Sequence, residues 1–578
     1  MSAPLRPTKS YFQRHWQRIQ SLAHPGDQER RLSRWITDNT RLGGMPFSFV
    51  DHEYQEFILN LNAIHYAIKK PSQIGISELN VRRALGICCM TPNISIAYLL
   101  PTMAFSQKFA KSRVDPVITN SPEVSAQMAT GNDSSVMKQF RNDSFLYFMG
   151  ASRSQQAIST PLDAMIEDEL DFFEDLTILT QFTSRLKHSK LQKNKFLLST
   201  PTVGGYGISA LYDTSKQYVE LQRCCHCNHW FAPDYYSDVV LPGFTKSLHA
   251  VTYTTKALIS DFDLSTAYLS CPKCHLKVDQ DIKYRNWVCV NPDSPSDTAG
   301  VAITPFTAPN IITPGQLIFN STEYARTADF YNFELGLEHS DADSEVTLEE
   351  LQAAVLAPED AFYSINNPPP YAVMAADMGG LCAVTIGFPS PQGPLIVVHA
   401  ELVPLRKFAV RYAELCSTFR VISVVMDGLP YSDLALQMQS RDPNLWAALF
   451  TSSKAVSFYT IREKDEDGDA AFSGIRTLSV ARDRGLDLTV SMIREKNIMF
   501  EPAEWNATVF EHVRDLKRIR IKDADGEDKF VWRKSQGGVD HYFFSLLYLF
   551  IAFCVKGLSG PSIMPLPLLQ KIRTKGKV

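Results

Sequence analysis

Between Ile64 and Pro201 the apolar positions alternate between short continuous runs and helical spacing. A run ends at Ile68, a glycine turn follows, a helix extends to about Ile87, and Ile94 to Leu100 reads as a buried strand ending at Pro101-Thr102. Further strands are expected at Phe145 to Met149, Ala164 to Ile166 and Phe196 to Leu198, the last running into Ser199-Thr200-Pro201-Thr202. Strand and helix in alternation predict a parallel sheet, because parallel neighbours need a crossover that a helix supplies. Ahead of this region Phe12, Trp16, Ile19 and Leu22 share one helical face, a stripe suited to packing on the body. Downstream, Asp341 to Pro370 is acidic and proline-rich, closes on Asn366-Asn367-Pro368-Pro369-Pro370, and reads as a linker. A second α/β domain opens with strands at Ala372 to Ala376, Val384 to Phe388, Leu395 to Ala400 and Val421 to Met426, and ends in a long apolar helix after Asp540. No internal repeat is present.

A chain of 578 residues exceeds a single core, so several domains are expected. Its 58 Lys and Arg against 62 Asp and Glu leave a formal charge of -4, so no excess of positive charge advertises nucleic-acid binding, and any such contact would have to come from local basic patches. The longest apolar run, Tyr542 to Val555, falls short of the roughly 18 to 20 residues that span a bilayer and reads as a buried helix. The N-terminus shows no secretory pattern, so a cytosolic protein is expected, in which the odd count of 11 cysteines does not form a disulfide framework.

Lys70-Pro71-Ser72-Gln73-Ile74-Gly75-Ile76-Ser77-Glu78 lies between a strand and a helix, where a phosphate-binding loop belongs. It departs from the usual pattern: Lys70 stands at the first glycine and Ile76 at the lysine. Backbone N–H groups of such a loop, Gln73 and Gly75 among them, still cradle phosphate, and a lysine at its start reaches the same oxygens. Ser77 keeps the Mg²⁺-binding hydroxyl. Ala164-Met165-Ile166-Glu167-Asp168-Glu169-Leu170-Asp171 is a short apolar strand ending in carboxylates, with Asp168 suited to hold Mg²⁺ and Glu169 to polarise the attacking water. An acid inside the strand, Glu167, leaves the register of that pair open by one residue.

Cys224-Cys225-His226-Cys227 and Cys271-Pro272-Lys273-Cys274 are two Cys-x-x-Cys knuckles 43 residues apart. Cys224, Cys227, Cys271 and Cys274 match a tetrahedral Zn²⁺ site, closed and therefore structural, with Cys225, His229 and His275 near enough to substitute. Asp377, Asp427 and Asp540 stand at the ends of a first strand, a later strand and the start of the last helix. That is the layout of RNase H-like nucleases, in which such acids hold two Mg²⁺ or Mn²⁺ ions that activate water and steady the leaving oxygen. His541 is a candidate fourth participant. Lys529, Arg533, Lys534 and the Gly537-Gly538 pair form a basic approach suited to a DNA backbone, and Lys571, Arg573, Lys575 and Lys577 make a basic tail.

The displaced lysine, the Asp168-Glu169-Leu170-Asp171 box and the paired knuckles, in this order, resemble the lambda-type (GpA-like) large subunits of tailed-phage terminases over roughly Pro46 to Phe550. The resemblance implies Tyr54 and Gln55 in the adenine-contacting region and an arginine finger, with Arg153 and Arg113 as candidates. It also implies double-stranded DNA, a small terminase subunit and a portal protein as partners, a pentameric ring, and work in the host cytoplasm. The expected fold is α/β: a P-loop-type ATPase domain with a parallel sheet (46–215), a zinc-ribbon insert (216–300), a connecting segment and linker (301–370) and an RNase H-like nuclease domain (371–560), between an N-terminal helical segment (1–45) and the tail (561–578). The function so read is ATP-driven packaging of viral DNA with metal-dependent cutting of concatemers. A helicase-nuclease of repair or recombination and a non-catalytic zinc-stabilised nucleic-acid scaffold are the alternatives.

Overall fold

The computed structural model describes residues 32–129, 134–151, 161–339, 345–390, 393–451, 459–462, 476–522, 528–535 and 537–556. The early stripe from Phe12 to Leu22, Arg153 and the basic tail lie outside the described residues. Two compact units emerge, the first from residues up to Asp341 with Ile519–Phe530, the second from Ala342–Arg518 and Val531 onward.

In the first unit, β1 (His65–Lys69), β2 (Ser95–Leu100), β3 (Met137–Gln139), β4 (Phe145–Gly150), β5 (Ala164–Asp168), β6 (Asn194–Ser199), β7 (Lys216–Arg223), β8 (Trp230–Phe231), β9 (Arg285–Cys289) and β10 (Thr298–Ala302) form one ten-stranded sheet. Its order is β8-β7-β10-β1-β6-β5-β2-β4-β3, with β9 also on β7. All neighbours from β7 to β4 along this path are parallel. The central strands are almost wholly buried, as apolar runs covered on both faces must be. Helix α1 (Glu53–Asn60) precedes β1, and α2 (Ile76–Met90) follows it, packing Leu79, Val81, Ala84 and Leu85 into the core. The ends of β1, β5 and β6, which carry Lys69, Asp168 and Ser199, therefore lie side by side. This moves the edges of the expected zinc insert: strands 216–223 and 298–302 are members of this ten-stranded sheet, because their hydrogen bonds continue it. The cysteine knuckles and the segment between them pack around a small separate core that includes Cys224, Cys271, Leu248, Leu269 and Leu317.

In the second unit, β11 (Ala372–Asp377), β12 (Leu381–Pro389) and β13 (Leu395–Pro404) form an antiparallel meander. The remaining strands are β14 (Val421–Asp427), β15 (Leu445–Thr451), β16 (Tyr459–Arg462), β17 (Thr477–Ala481) and β18 (Ile498–Phe500). The order is β16-β17-β15-β14-β11-β12-β13-β18, with β14 parallel to β11 and β15 parallel to β14. A mixed sheet with the first strand at its centre is the layout expected for an RNase H-like domain. Apolar helix α3 (His541–Val555) is buried from Tyr542 to Cys554 against this sheet, which explains a run that resembles a membrane segment in composition. Among the described residues no helix is long and apolar enough to cross a membrane. Part of the expected linker is folded instead: Leu348–Ala353 is a helix with a Thr347–Glu350 capping box, and Val346, Leu351 and Ala354 belong to the core of this unit. The basic stretch holding Lys529, Arg533 and Lys534 forms the strand Asp528–Lys534, paired with Leu516–Lys522.

Candidate functional site

The loop from Lys70 to Gly75 leaves β1 and enters α2 through left-handed turns at Gln73 (φ 59°) and Gly75 (φ 78°). Tyr54 donates its hydroxyl to the Ile74 carbonyl at 2.6 Å, and Gln55 Nε2 donates to the Gly75 carbonyl at 3.3 Å. Those bonds turn the carbonyls outward from the cradle and fix the loop from below. Tyr54 and Gln55 are only 1% and 3% exposed and brace the loop.

Lys70 lies at the junction. Its ammonium is 3.1 Å from Glu169 Oε1 with 5% of the side chain exposed. Burial works against its charge, but the carboxylates of Glu169, Asp168 and Asp171 outweigh it and raise the lysine's pKa. The displaced lysine thus reaches the acid pair from the opposite end of the loop. Asp168 ends β5, accepts a 2.7 Å bond from the Tyr98 hydroxyl through Oδ2, lies near Ser77, whose side chain counters part of the rise in its pKa, and leaves Oδ1 without a partner among the described residues. Burial, then the Glu169 charge, push its carboxyl up to about 6. Glu169 follows in a left-handed conformation (φ 60°, ψ 45°) that swings its carboxylate towards Lys70. Backbone strain of about 1–3 kcal/mol at a non-glycine residue is typical of catalytic positions. Glu167, 0% exposed, points into the apolar layer on the other face of the sheet, and neither of its oxygens has a partner among the described residues. Burial pushes its carboxyl up to about 8.

Asp171 ties the acidic strand to the Ser-Thr-Pro-Thr segment. Its Oδ2 accepts from both the backbone N–H and the hydroxyl of Thr202, each at 2.9 Å, its Oδ1 accepts from the Ile208 N–H at 2.7 Å, and its own N–H donates to Ser199 Oγ at 3.1 Å. Gly207 (φ 51°) permits this approach, since a Cβ there would lie 2.2 Å from Asp171 Oδ1. Burial still pushes the Asp171 carboxyl up to about 7.

Away from this centre, the four sulfurs of Cys224, Cys227, Cys271 and Cys274 lie within 4.8 Å of one another. Cys224 Sγ is 3.6 Å from Cys274 Sγ and Cys227 Sγ is 3.7 Å from Cys271 Sγ, close to the edge of about 3.8 Å that a tetrahedron with ~2.3 Å metal–sulfur bonds requires. Backbone N–H groups of His226 and Cys227 point at Cys224 Sγ, and that of Lys273 at Cys271 Sγ, as thiolates require. Cys225, His229 and His275 are outside the group, which is complete without them.

In the second unit Asp377 and Asp427 end the adjacent parallel strands β11 and β14, whose register pairs Ala376 with Met426. Asp540 caps α3, and the next residue, His541, approaches Asp377 with Nδ1 2.7 Å from Oδ2. Burial raises the Asp377 pKa against the opposing effect of His541, while the hydrogen bond to Asp377 raises that of the imidazole. Burial, helped by the Asp377 charge, pushes Asp427 up to about 7. Among the described residues only the cysteines form such a ligand group; the three aspartates do not gather as closely.

Residues 52–288 match a family model described as "Phage terminase large subunit gpA, ATPase domain". This region is thus a gpA-type terminase ATPase domain. The matched span runs from just before Tyr54 past Cys274, so the terminase ATPase region includes the phosphate loop, the acid pair and the cysteine group. The chain is also similar to the large terminase of bacteriophage HK97 (TM-score 0.48, 11% identity, covering 91% of this chain and 100% of that one). It is similar to the large terminase of a thermophilic bacteriophage in complex with ATP-gamma-S (TM-score 0.30, 11% identity, 96% and 100% covered). The nuclease domain of the Thermus phage P74-26 large terminase gives a TM-score of 0.23 at 13% identity over 35% of this chain and 92% of that one. These likenesses are too distant to bear on residue roles. No curated protein sequence matches.

Sequence reasoning missed three partners in this chain. Tyr98 is an ordinary strand tyrosine in sequence, yet it holds Asp168. Asp171 stands in the acidic box with no task of its own in the sequence, yet it ties that box to Thr202. Tyr548, fully buried on α3, has an unpartnered hydroxyl, and the charges of Asp427 and Asp377 raise its pKa beyond the effect of burial. Arg113 is described, exposed within Ala110–Val114, where nothing pairs it with the acid centre.

Proposed function

We propose that this terminase chain hydrolyses ATP at the Lys70–Glu169 centre to drive double-stranded DNA into a procapsid, and that Asp377, Asp427 and Asp540 cut concatemeric DNA at the start and end of a packaging round. The observation that carries the reading is the meeting of Lys70, Ser77, Asp168 and Glu169 at one end of the parallel sheet, with Asp168 Oδ1 bare. An unpartnered buried carboxylate oxygen beside a serine hydroxyl fits Mg²⁺ carried in with ATP. That ion, when bound, neutralises charge on the β- and γ-phosphates. Loop N–H groups from Gln73 to Ser77 hold the phosphates. Lys70 exchanges its partner Glu169 for phosphate oxygens, and the freed Glu169 orients water and accepts its proton. Asp171 senses the state of the centre through Thr202.

In the second unit, Asp377 and Asp427 fit a pair of Mg²⁺ or Mn²⁺ ions, since they end adjacent parallel strands and the pKa of each is raised by burial and in part by a neighbouring acid, with Asp540 completing the cage. Such ions supply an activated water and steady the departing oxygen. His541 holds Asp377 in orientation. The cysteine group fits Zn²⁺ in a structural role, having no position open for water. Partners implied by this reading are DNA, a small terminase subunit and a portal protein, with a pentameric ring in the host cytoplasm.

The test is paired. DNA-stimulated ATP hydrolysis should vanish in Lys70→Ala and in Glu169→Ala, while Mn²⁺-dependent plasmid cleavage persists; Asp377→Ala should do the reverse. Cleavage that survives Asp377→Ala would sink the nuclease assignment, and hydrolysis that survives Glu169→Ala would sink the motor.

A further inference from the structure

Residues 331–339, beyond the matched family span, lie against three parts of the ATP centre. The Phe333 carbonyl accepts from the N–H of Ser72 in the phosphate loop at 2.8 Å. Asn332 Nδ2 donates to the Thr202 carbonyl at 2.9 Å and to the Leu337 carbonyl at 2.9 Å, and the His339 N–H donates to the same Thr202 carbonyl at 3.1 Å. Phe333 lies parallel to Phe172, the neighbour of Asp171, with ring centroids 6.4 Å apart and an interplanar angle of 8°. Glu338 Oε2 accepts from Lys69 at 2.9 Å and from Ser209 at 3.4 Å, and the Lys69 ammonium lies 4.8 Å from the centre of the Tyr212 ring. Gly336 (φ 66°) allows the contact, because a Cβ there would stand 2.7 Å from the Pro71 nitrogen.

We infer that residues 331–339 are a strap that joins the phosphate loop to the Thr202 segment, with Asn332 as the positioning residue. The inference rests on the ATPase reading above and extends it. Thr202 is held on one side by Asp171 and on the other by Asn332 and His339, so its backbone position is fixed by both the acidic strand and the strap. Ser72 is held by the next strap residue, Phe333. A shift of the loop around the γ-phosphate therefore reaches Thr202 by two routes, through the Lys70 N–H, which donates to the Ser199 carbonyl at 3.2 Å three residues before Thr202, and around the strap. Asn332 is 8% exposed and both of its amide N–H bonds go to backbone carbonyls, so it touches neither nucleotide nor metal and acts through Thr202. The ion pair of Glu338 with Lys69, the residue before the displaced lysine, anchors the strap's other end.

The experiment is hydrogen–deuterium exchange on the full chain, with and without Mg²⁺ and ATPγS, combined with steady-state ATPase kinetics. In the wild type, nucleotide should slow exchange both in the Lys70–Ser77 loop and in residues 331–339. In Asn332→Ala the loop should still be protected, protection of 331–339 should be lost, and kcat should fall about tenfold with KM within about twofold. Glu338→Gln, which keeps the side chain's shape, should weaken strap protection in the same direction and guards against a folding defect in Asn332→Ala. Loop protection with unchanged exchange at 331–339 in the wild type overturns the strap while leaving the ATP site standing. Absence of protection at both segments overturns the nucleotide reading and the strap with it.

Discussion

Glu167→Gln separates the two carboxylates that flank Asp168. Glu167 is fully buried, and its carboxyl rises from 4.5 in an open chain to about 8 in the fold because burial disfavours its charge. A carboxyl raised in the folded state contributes stability that is fully present below about pH 4.5 and is lost as pH climbs through about 8. Over that window the fold loses about 1.4 kcal/mol per pH unit, about 5 kcal/mol in all, of which about 3 kcal/mol is gone by pH 7. Glutamine cannot ionise, so Glu167→Gln escapes this loss, although its buried amide adds a pH-independent cost of about 1–3 kcal/mol. The expected result is a difference in urea stability between variant and wild type that moves in favour of the variant as pH rises from about 5 to about 8 and then levels off. Urea unfolding of the full chain at a series of pH values measures it. At neutral pH Glu167 retains its proton, so the glutamine variant should also keep ATPase activity within about twofold, whereas Glu169→Gln should lose about 10²-fold or more. A stability difference that is flat across the window would refute the burial argument. Loss of ATPase in Glu167→Gln would refute the assignment of Glu169 as the catalytic acid of the pair.

Cys274→Ser should reduce bound zinc from about one per chain to a small fraction and lower the melting temperature, read by metal analysis and calorimetry. Full zinc retention would show that the four-sulfur group is not the binding site. Tyr98→Phe removes the donor to Asp168 Oδ2 and should raise the Mg²⁺ concentration for half-maximal ATPase several-fold, about 3- to 10-fold, with an unchanged response at saturating metal. Gly207→Ala places a methyl 2.2 Å from Asp171 Oδ1 at φ 51°, so it should cost about 2 kcal/mol or more of stability and reduce kcat; a neutral outcome would mean that Asp171 does not need its bond from Ile208.

The sequence carried the order of chemistry because each motif is local. A Cys-x-x-Cys knuckle is one tight turn, an acid at the end of an apolar run is a strand end, and a Gly-Ile-Ser before a helical pattern is a phosphate-loop exit. Hence the cysteine group, the Asp168-Glu169 pair and the strand-end positions of Asp377 and Asp427 were all legible. Boundaries were less so. Strands 216–223 and 298–302 look like parts of an insert in sequence, and only their pairing with each other and with β1 makes them members of the ATPase sheet.

What tertiary structure alone decided is which side chains meet across large separations. Lys70 reaches Glu169 over 99 positions, Asn332 reaches Thr202 over 130, and His541 reaches Asp377 over 164. No spacing rule encodes such pairs, since sheet order brings strand ends together irrespective of chain distance. The same holds for Glu167 and Glu169: two residues apart in sequence, they differ because one faces the apolar layer beneath the sheet while the other turns through a left-handed residue towards Lys70. The sequence by itself determined which chemical groups this protein has and in what order, and the fold decided which of them share a centre and which are buried away from it.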